Sequence, residues 1–338
     1  MFKLISKTIA AVAIVSVALF GSANAKTLKI ETHFTASSPN GEVAAQFAKN
    51  VEMFSGGSLK IEMFYSSSVT GKSAEVFNSA QTGIIDCDMT GAGYQTGKNA
   101  AFQFAGDVMG GYDNPYQQYG FLKFPGARKT IAKLYNKYGM EFIGWWIPGQ
   151  KSLISNKSLP NFVSLKDFKF RSPKGMETEI FNEIGAKPTA ISFGEVPTAL
   201  QKDLIDGVDY SHLTNNTAGG FYNESFHTTY PGFHSMPTDH LACNKKAWDS
   251  LTSAQKGSVF AAIEICGRTI TSIIERKNAK VLKKLLANGV IAHDFSKKDR
   301  FKFRNASIKI WNNWKAKSSD VEKLVELHIQ YIKSIGLL

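Results

Sequence analysis

Cysteine is nearly absent from this chain: its 338 residues include three, Cys87, Cys243 and Cys266. No C-x-x-C pair occurs and no His/Cys cluster has zinc spacing, which excludes zinc-ribbon and thioredoxin-type chemistry. In an oxidising compartment one bridge and one free thiol fit, with Cys243–Cys266 the preferred pair. Three buried thiols fit equally well. Nucleophile and metalloprotease signatures are missing too: there is no G-x-S-x-G, no H-E-x-x-H and no Cys-His signature. That argues against an exported hydrolase, although a pair of carboxylates leaves no local signature. The glycines of Gly91-Ala92-Gly93 do not form a dinucleotide fingerprint, because the third glycine is misplaced and the first βα turn lies elsewhere. Acids are scarce beside bases, 28 against 40, giving a formal charge of +12. After the first 25 residues no stretch reads as apolar enough to cross a bilayer.

Residues 1–25 carry what the remainder lacks. Lys3 and Lys7 precede an uncharged apolar run over 8–20, and Ala23-Asn24-Ala25 is an A-x-A cleavage site. This predicts a secretory signal peptide cut after Ala25, and hence an exported, periplasmic protein beginning at Lys26. The run falls short of the roughly 20 apolar residues of a membrane span. Cleavage removes two lysines and no acid, leaving +10. A basic chain raises nucleic-acid binding, but export argues for no nucleic-acid partner. A positive field concentrates small anions near a cleft. A solvated face around Lys277, Lys280, Lys283, Lys284, Lys297 and Lys298 explains the same charge.

About 310 exported residues imply two domains, since single cores stop growing near 250–300. Strand-like alternation over 28–32 is followed by helical spacing over 41–54, a strand over 59–65, a short helix over 74–81 and a strand over 84–89. This β-α-β-α-β order predicts an α/β domain with crossover connections. A helix over 130–138 and a strand over 141–145 follow. Thr252-x-x-Gln255 is a capping box, and apolar residues recur at three- and four-residue spacing from there to about 287. About 35 helical residues reach roughly 50 Å, longer than one lobe of this size. A coiled-coil dimer arm is the alternative. Two further amphipathic helices are expected over 301–314 and 321–335. One internal echo stands out: Gln81-Thr82-Gly83-Ile84-Ile85-Asp86 matches Gln201-Lys202-Asp203-Leu204-Ile205-Asp206. Each joins a short helix to a strand, as two similar lobes would require.

Between 165 and 210 the chain reads LKDFKFRSPKGMETEIFNEIGAKPTAISFGEVPTALQKDLIDGVDY. Arg171 ends a short strand just before the breaker Ser172-Pro173-Lys174-Gly175. A strand-end arginine projects into the crevice beside an open α/β sheet, where ligands bind, and its planar fork grips a carboxylate. A salt bridge is the alternative use. Arg-x-Pro after Leu165-Lys166, then Glu195-Val196-Pro197-Thr198-Ala199-Leu200-Gln201 and Ile205-Asp206-Gly207, resembles the solute-binding proteins of TRAP (tripartite ATP-independent periplasmic) transporters. The resemblance extends from about 26 to the C-terminus.

The resemblance implies a two-lobed periplasmic binding protein (a Venus flytrap, α/β) with a long helix spanning both lobes. Lobe I would take 26–149 plus about 237–265, and lobe II 150–236 plus about 266–338. The ligand would be a small organic anion, delivered to a TRAP-type membrane permease, with no enzymatic step. Arg171 would clamp the carboxylate, and Gln150 would contact ligand and cation as in the subgroup that binds 2-oxo monocarboxylates. Tyr94, Asp209, Tyr210 and Asn215 would line the cleft, with Asp206–Tyr210 a crossing between lobes. Asp209 and Tyr210 fall where that subgroup supplies oxygens to a bound cation, sodium or calcium. Its further acid is replaced here by Ser235, with Asp239 as a substitute, a departure from that subgroup's pattern. C4-dicarboxylates, sugar acids and sulfonates remain alternatives to 2-oxo and 2-hydroxy acids, and a homodimer is open. His212 reads as a satisfied polar residue.

Overall fold

Leu28 and Ile30 of the first strand are buried against Val43, Ala44, Phe47 and Val51 of helix Pro39–Phe54. Strand alternation and helical spacing thus meet on one apolar face, at about 1.5–3 kcal/mol per fully buried large side chain. The computed structural model describes residues 25–191, 193–223 and 225–338. Apart from Ala25, the expected signal peptide lies outside the described residues.

Eleven strands are described: β1 (Lys26–Thr32), β2 (Leu59–Phe64), β3 (Cys87–Met89), β4 (Met140–Trp146), β5 (Ile154–Ser155), β6 (Lys169–Arg171), β7 (Lys187–Thr189), β8 (Gly207–Val208), β9 (His227–Thr229), β10 (Asp239–Asn244) and β11 (Ile291–His293). They form two sheets, ordered β2-β1-β3-β10-β4 and β11-β9-β5-β8-β6-β7. In the first, β1 runs parallel to β2 and β3, while β10 is antiparallel to β3 and β4. In the second, β6 is parallel to both β7 and β8. The chain is an α/β protein built on two mixed sheets.

The sequence echo is a structural one. Asp86 donates its N–H to the Lys29 carbonyl (2.8 Å) and accepts the Lys29 N–H on Oδ2 (2.8 Å). Asp206 does the same to Lys169, at 2.6 and 3.0 Å. Gly83 and Asp203 hold equivalent left-handed positions, φ +83° and +54°. Each aspartate locks its turn onto the neighbouring parallel strand, once per sheet.

Among the described residues, three connections join the sheets. The chain leaves the first through residues 147–153 and returns through 230–238, where the Lys151 N–H bonds the Ser235 carbonyl at 3.0 Å. The expected crossing at 206–210 is not one: β8 is an interior strand of the second sheet. The third connection is helix Ser253–Ala287, capped by Thr252 and Gln255 as the sequence predicts. Its first half packs on helix Pro39–Phe54, and Asn278 in its second half accepts from Thr214 at 2.7 and 2.9 Å. It is long and apolar enough to span a membrane by composition, contrary to the sequence reading. Half of that window is buried in the molecule, as in a core helix.

Two expectations need correction. The expected division puts helix Ser319–Ser334 in the second lobe, yet it packs on the first: His328 Nε2 bonds the Phe104 carbonyl (2.9 Å) and its ring stacks on Phe121. The disulfide joins Cys87 to Cys243, which are register partners of β3 and β10, and Cys266 is the buried free thiol. Spacing along the chain could not reveal this pairing, because the sheet brings together residues 156 apart.

Candidate functional site

A cleft of about 950 Å³ opens between the sheets. One wall comes from the first sheet's loops, with His33, Tyr94 and Asp239. The other comes from Tyr210, Ser211, His212 and Asn215, and Lys151 lies at the crossing between them. The N-terminus of helix Pro39–Phe54 borders the cleft through Ser38, Pro39 and Asn40, adding the positive end of a helix dipole.

Of the residues singled out on the sequence, Tyr94, Tyr210 and Asn215 meet in this cleft. Tyr210 leans on Phe221, with ring centroids 5.1 Å apart. Asn215 is exposed and donates to the Ser211 hydroxyl at 3.2 Å. His212 caps helix Leu213–Ala218, its Nδ1 accepting the Asn215 N–H. Burial lowers it to about 4, so it is a neutral, satisfied cap.

Gln150 is not brought to the cleft. Its amide donates to the Asp113 carbonyl (2.7 Å), and it lines a separate cavity of about 330 Å³ with Tyr230, Glu275 and Asn278. The neighbouring Lys151 faces the cleft instead. Arg171 stands at the end of β6, with Nη1 donating to the Asp209 carbonyl at 2.8 Å while the Asp209 N–H bonds the Arg171 carbonyl. It is half-buried and is not among the residues that line the cleft; it joins the site through Asp209, one residue before Tyr210.

Asp209 is the fully buried hub. Its Oδ2 accepts from Lys151 Nζ at 2.6 Å and its Oδ1 meets His234 Nε2 at 2.9 Å. Glu177 lies 3.6 Å from the same ammonium and takes a 3.0 Å bond from Ser172. Burial alone would raise the Asp209 carboxyl, but Lys151 and His234 hold it well below the usual carboxylate range. Glu177 goes the other way, pushed up to about 7 by burial and the charge of Asp209. Burial disfavours the Lys151 ammonium, yet Asp209, Glu177 and Asp107 more than compensate and raise it. Asp107 is raised, chiefly by burial. Lys151, Glu177, His234 and Asp107 were missed on the sequence. Only Lys151, adjacent to Gln150 in the crossing, carried a usable signal.

Of the expected cation donors, Asp209 does not offer a free carboxylate oxygen. Both carboxylate oxygens of Asp209 are engaged, and the hydroxyl of Ser235 donates to Asp107. Asp239 lies on the opposite wall of the open cleft, 3.5 Å from His33. Calcium wants six to eight oxygens. A cation about 4 Å from the ammonium would meet roughly 4 kcal/mol of repulsion per unit charge at an effective dielectric near 20.

A family model, bacterial extracellular solute-binding protein, family 7 (DctP), matches residues 31–318. The chain belongs to that family. Among similar solved structures is a TRAP periplasmic solute-binding protein from Rhodobacter sphaeroides in an apo, open form. Its TM-score is 0.86 at 29% identity, over 92% of this chain and 99% of that one. The monocarboxylate 2-oxoacid-binding periplasmic protein of Nostoc sp. is 26% identical over 263 residues, 73% of this chain and 67% of that one. A TRAP solute-binding protein from Pseudoalteromonas atlantica, with bound sodium and pyruvate, shares the fold at TM-score 0.74 and 22% identity. That match covers 92% of this chain and 95% of the other. Family 7 members are binding proteins rather than enzymes. The hydrogen-bonded chain Tyr135–His240–Asp88 suggests a catalytic relay only in outline, since all three residues are buried in the first core.

Proposed function

We propose that this family 7 protein captures a small carboxylate, a 2-oxo or 2-hydroxy acid, between its two lobes and delivers it to a TRAP-type membrane permease. The observation that carries this reading is the cationic crossing. Lys151 lines a cleft walled by Tyr94 on one side and by Tyr210 and Asn215 on the other, and Asp209 ties it to Arg171 outside that lining. A small acid cannot fill 950 Å³, so capture requires the lobes to close, with ligand shifting an open–closed equilibrium. In the closed form Arg171 clamps the carboxylate and Tyr94 covers it. The Nostoc protein's 2-oxoacid ligand supports this substrate class. The domain division we propose is residues 26–149 with about 237–265 against 150–236 with about 266–338, less the last helix, which packs on the first lobe.

The test is thermal melting of residues 26–338 against pyruvate, lactate, malate, glucuronate and a small sulfonate. Ligand at about 100 Kd stabilises by roughly 2.7 kcal/mol. A shift for pyruvate or lactate that Arg171→Ala abolishes is the expected result. A shift confined to malate, glucuronate or the sulfonate would replace the substrate class. Recovery of the acid unchanged after incubation is expected, and turnover would sink the binding-protein reading.

A further inference from the structure

An ammonium stands where the site could otherwise hold an ion. Glu177, Asp209 and His234 bring ligand atoms within 4.8 Å of one another, all three residues buried. Nζ of Lys151 is paired with two of them, 2.6 Å from Asp209 and 3.6 Å from Glu177. Its side chain is only 13% exposed, yet the residue lines the cleft. Ser235, which takes the place of an acid expected from the resemblance, is turned to Asp107. A hydroxyl thus stands where the resemblance expects an acid, and the chain's own ammonium is paired with the acids that are present.

We propose that Lys151 is the permanent cation of this site, so that the protein binds its anion without a metal ion and the ammonium touches the ligand directly. An ammonium has three donors. One is spent on Asp209, Glu177 is held at ion-pair rather than hydrogen-bond distance, and a remaining donor is available to a carboxylate or keto oxygen entering the cleft. Asp209 then serves as a positioning residue: it fixes Lys151 through its carboxylate and Arg171 through its carbonyl, and aims two cations from one hub. This rests on the reading that the ligand is a small carboxylate.

The experiment uses the exported chain after EDTA treatment, in sodium-free choline buffer. Calcium chloride and sodium chloride are titrated alone while melting is followed, and pyruvate binding is then measured by calorimetry with and without each ion. We expect no ion-induced shift and a pyruvate Kd that changes less than twofold with EDTA or sodium. Lys151→Met should weaken pyruvate at least tenfold, with Lys151→Arg recovering part of the loss. A melting shift from either ion alone, an EDTA effect beyond tenfold, or unchanged affinity in Lys151→Met would overturn the proposal. The ion titrations on the natural protein decide the point even if the methionine variant does not fold. If no acid binds at all, the functional reading fails separately, while those titrations still support or overturn the metal-free site.

Discussion

At the scale of single residues, the site is governed by how few groups share its charge. Asp209 is fully buried and holds Lys151, His234 and, through its carbonyl, Arg171. A buried pair stripped of one partner leaves an uncompensated charge, which costs about 3–5 kcal/mol. Asp209→Asn should therefore lower urea stability by about 3 kcal/mol, although it preserves shape and the main-chain bonds to Arg171. A variant within about 0.5 kcal/mol of the natural protein would show that Lys151 is already neutralised by Glu177. The sequence marked Asp209 for an ion-binding role, and the fold gives it a different cation. Gln150 and Lys151 are neighbours in the crossing yet line different cavities, so a shift of one position decides which of them faces the cleft.

At the scale of elements, the repeated helix–turn–strand unit explains two glycines differently. Gly83 needs its left-handed backbone (φ +83°) but has open space around it. Gly83→Ala should cost only the conformational term, about 1 kcal/mol. Gly207 sits within β8, where an added Cβ would lie 2.2 Å from the Ile154 carbonyl and 2.6 Å from Phe168. Gly207→Ala should cost about 3 kcal/mol through displaced strands and should weaken ligand binding, because Asp209 is two residues away. Equal losses in the two variants, read from denaturant midpoints, would refute the distinction. The Ile205-Asp206-Gly207 motif was legible because each member has a local task. The short strands β5, β7, β9 and β11 were not, since two or three residues carry no measurable period.

At the scale of the whole molecule, the last helix ties the chain's end to the first lobe through a histidine kept neutral. His328 is buried between Tyr112, Phe104 and Phe121, and burial lowers it from 6.5 to about 3. Its folded pKa lies below the unfolded one, so its contribution is complete above pH 6.5 and is lost as pH falls towards 3. At pH 4 the loss is about 3 kcal/mol. His328→Gln should be less stable than the natural protein at pH 7, and the gap should narrow by about that amount at pH 4. A gap that stays constant with pH would mean the histidine is protonated in the fold.

The sequence by itself determined the α/β class, the long capped helix, the paired aspartate turns and the family, because each rests on contacts a few residues apart or on motif wording. It could not determine the Cys87–Cys243 bridge, the return of the C-terminal helix, or which neighbour in the 150–151 pair enters the cleft. Those depend on strand register and side-chain direction between residues 58 to 224 apart. Lys151, Glu177 and His234 become one charge cluster around Asp209 only when the two crossings meet helix Met176–Glu183 and the end of β8.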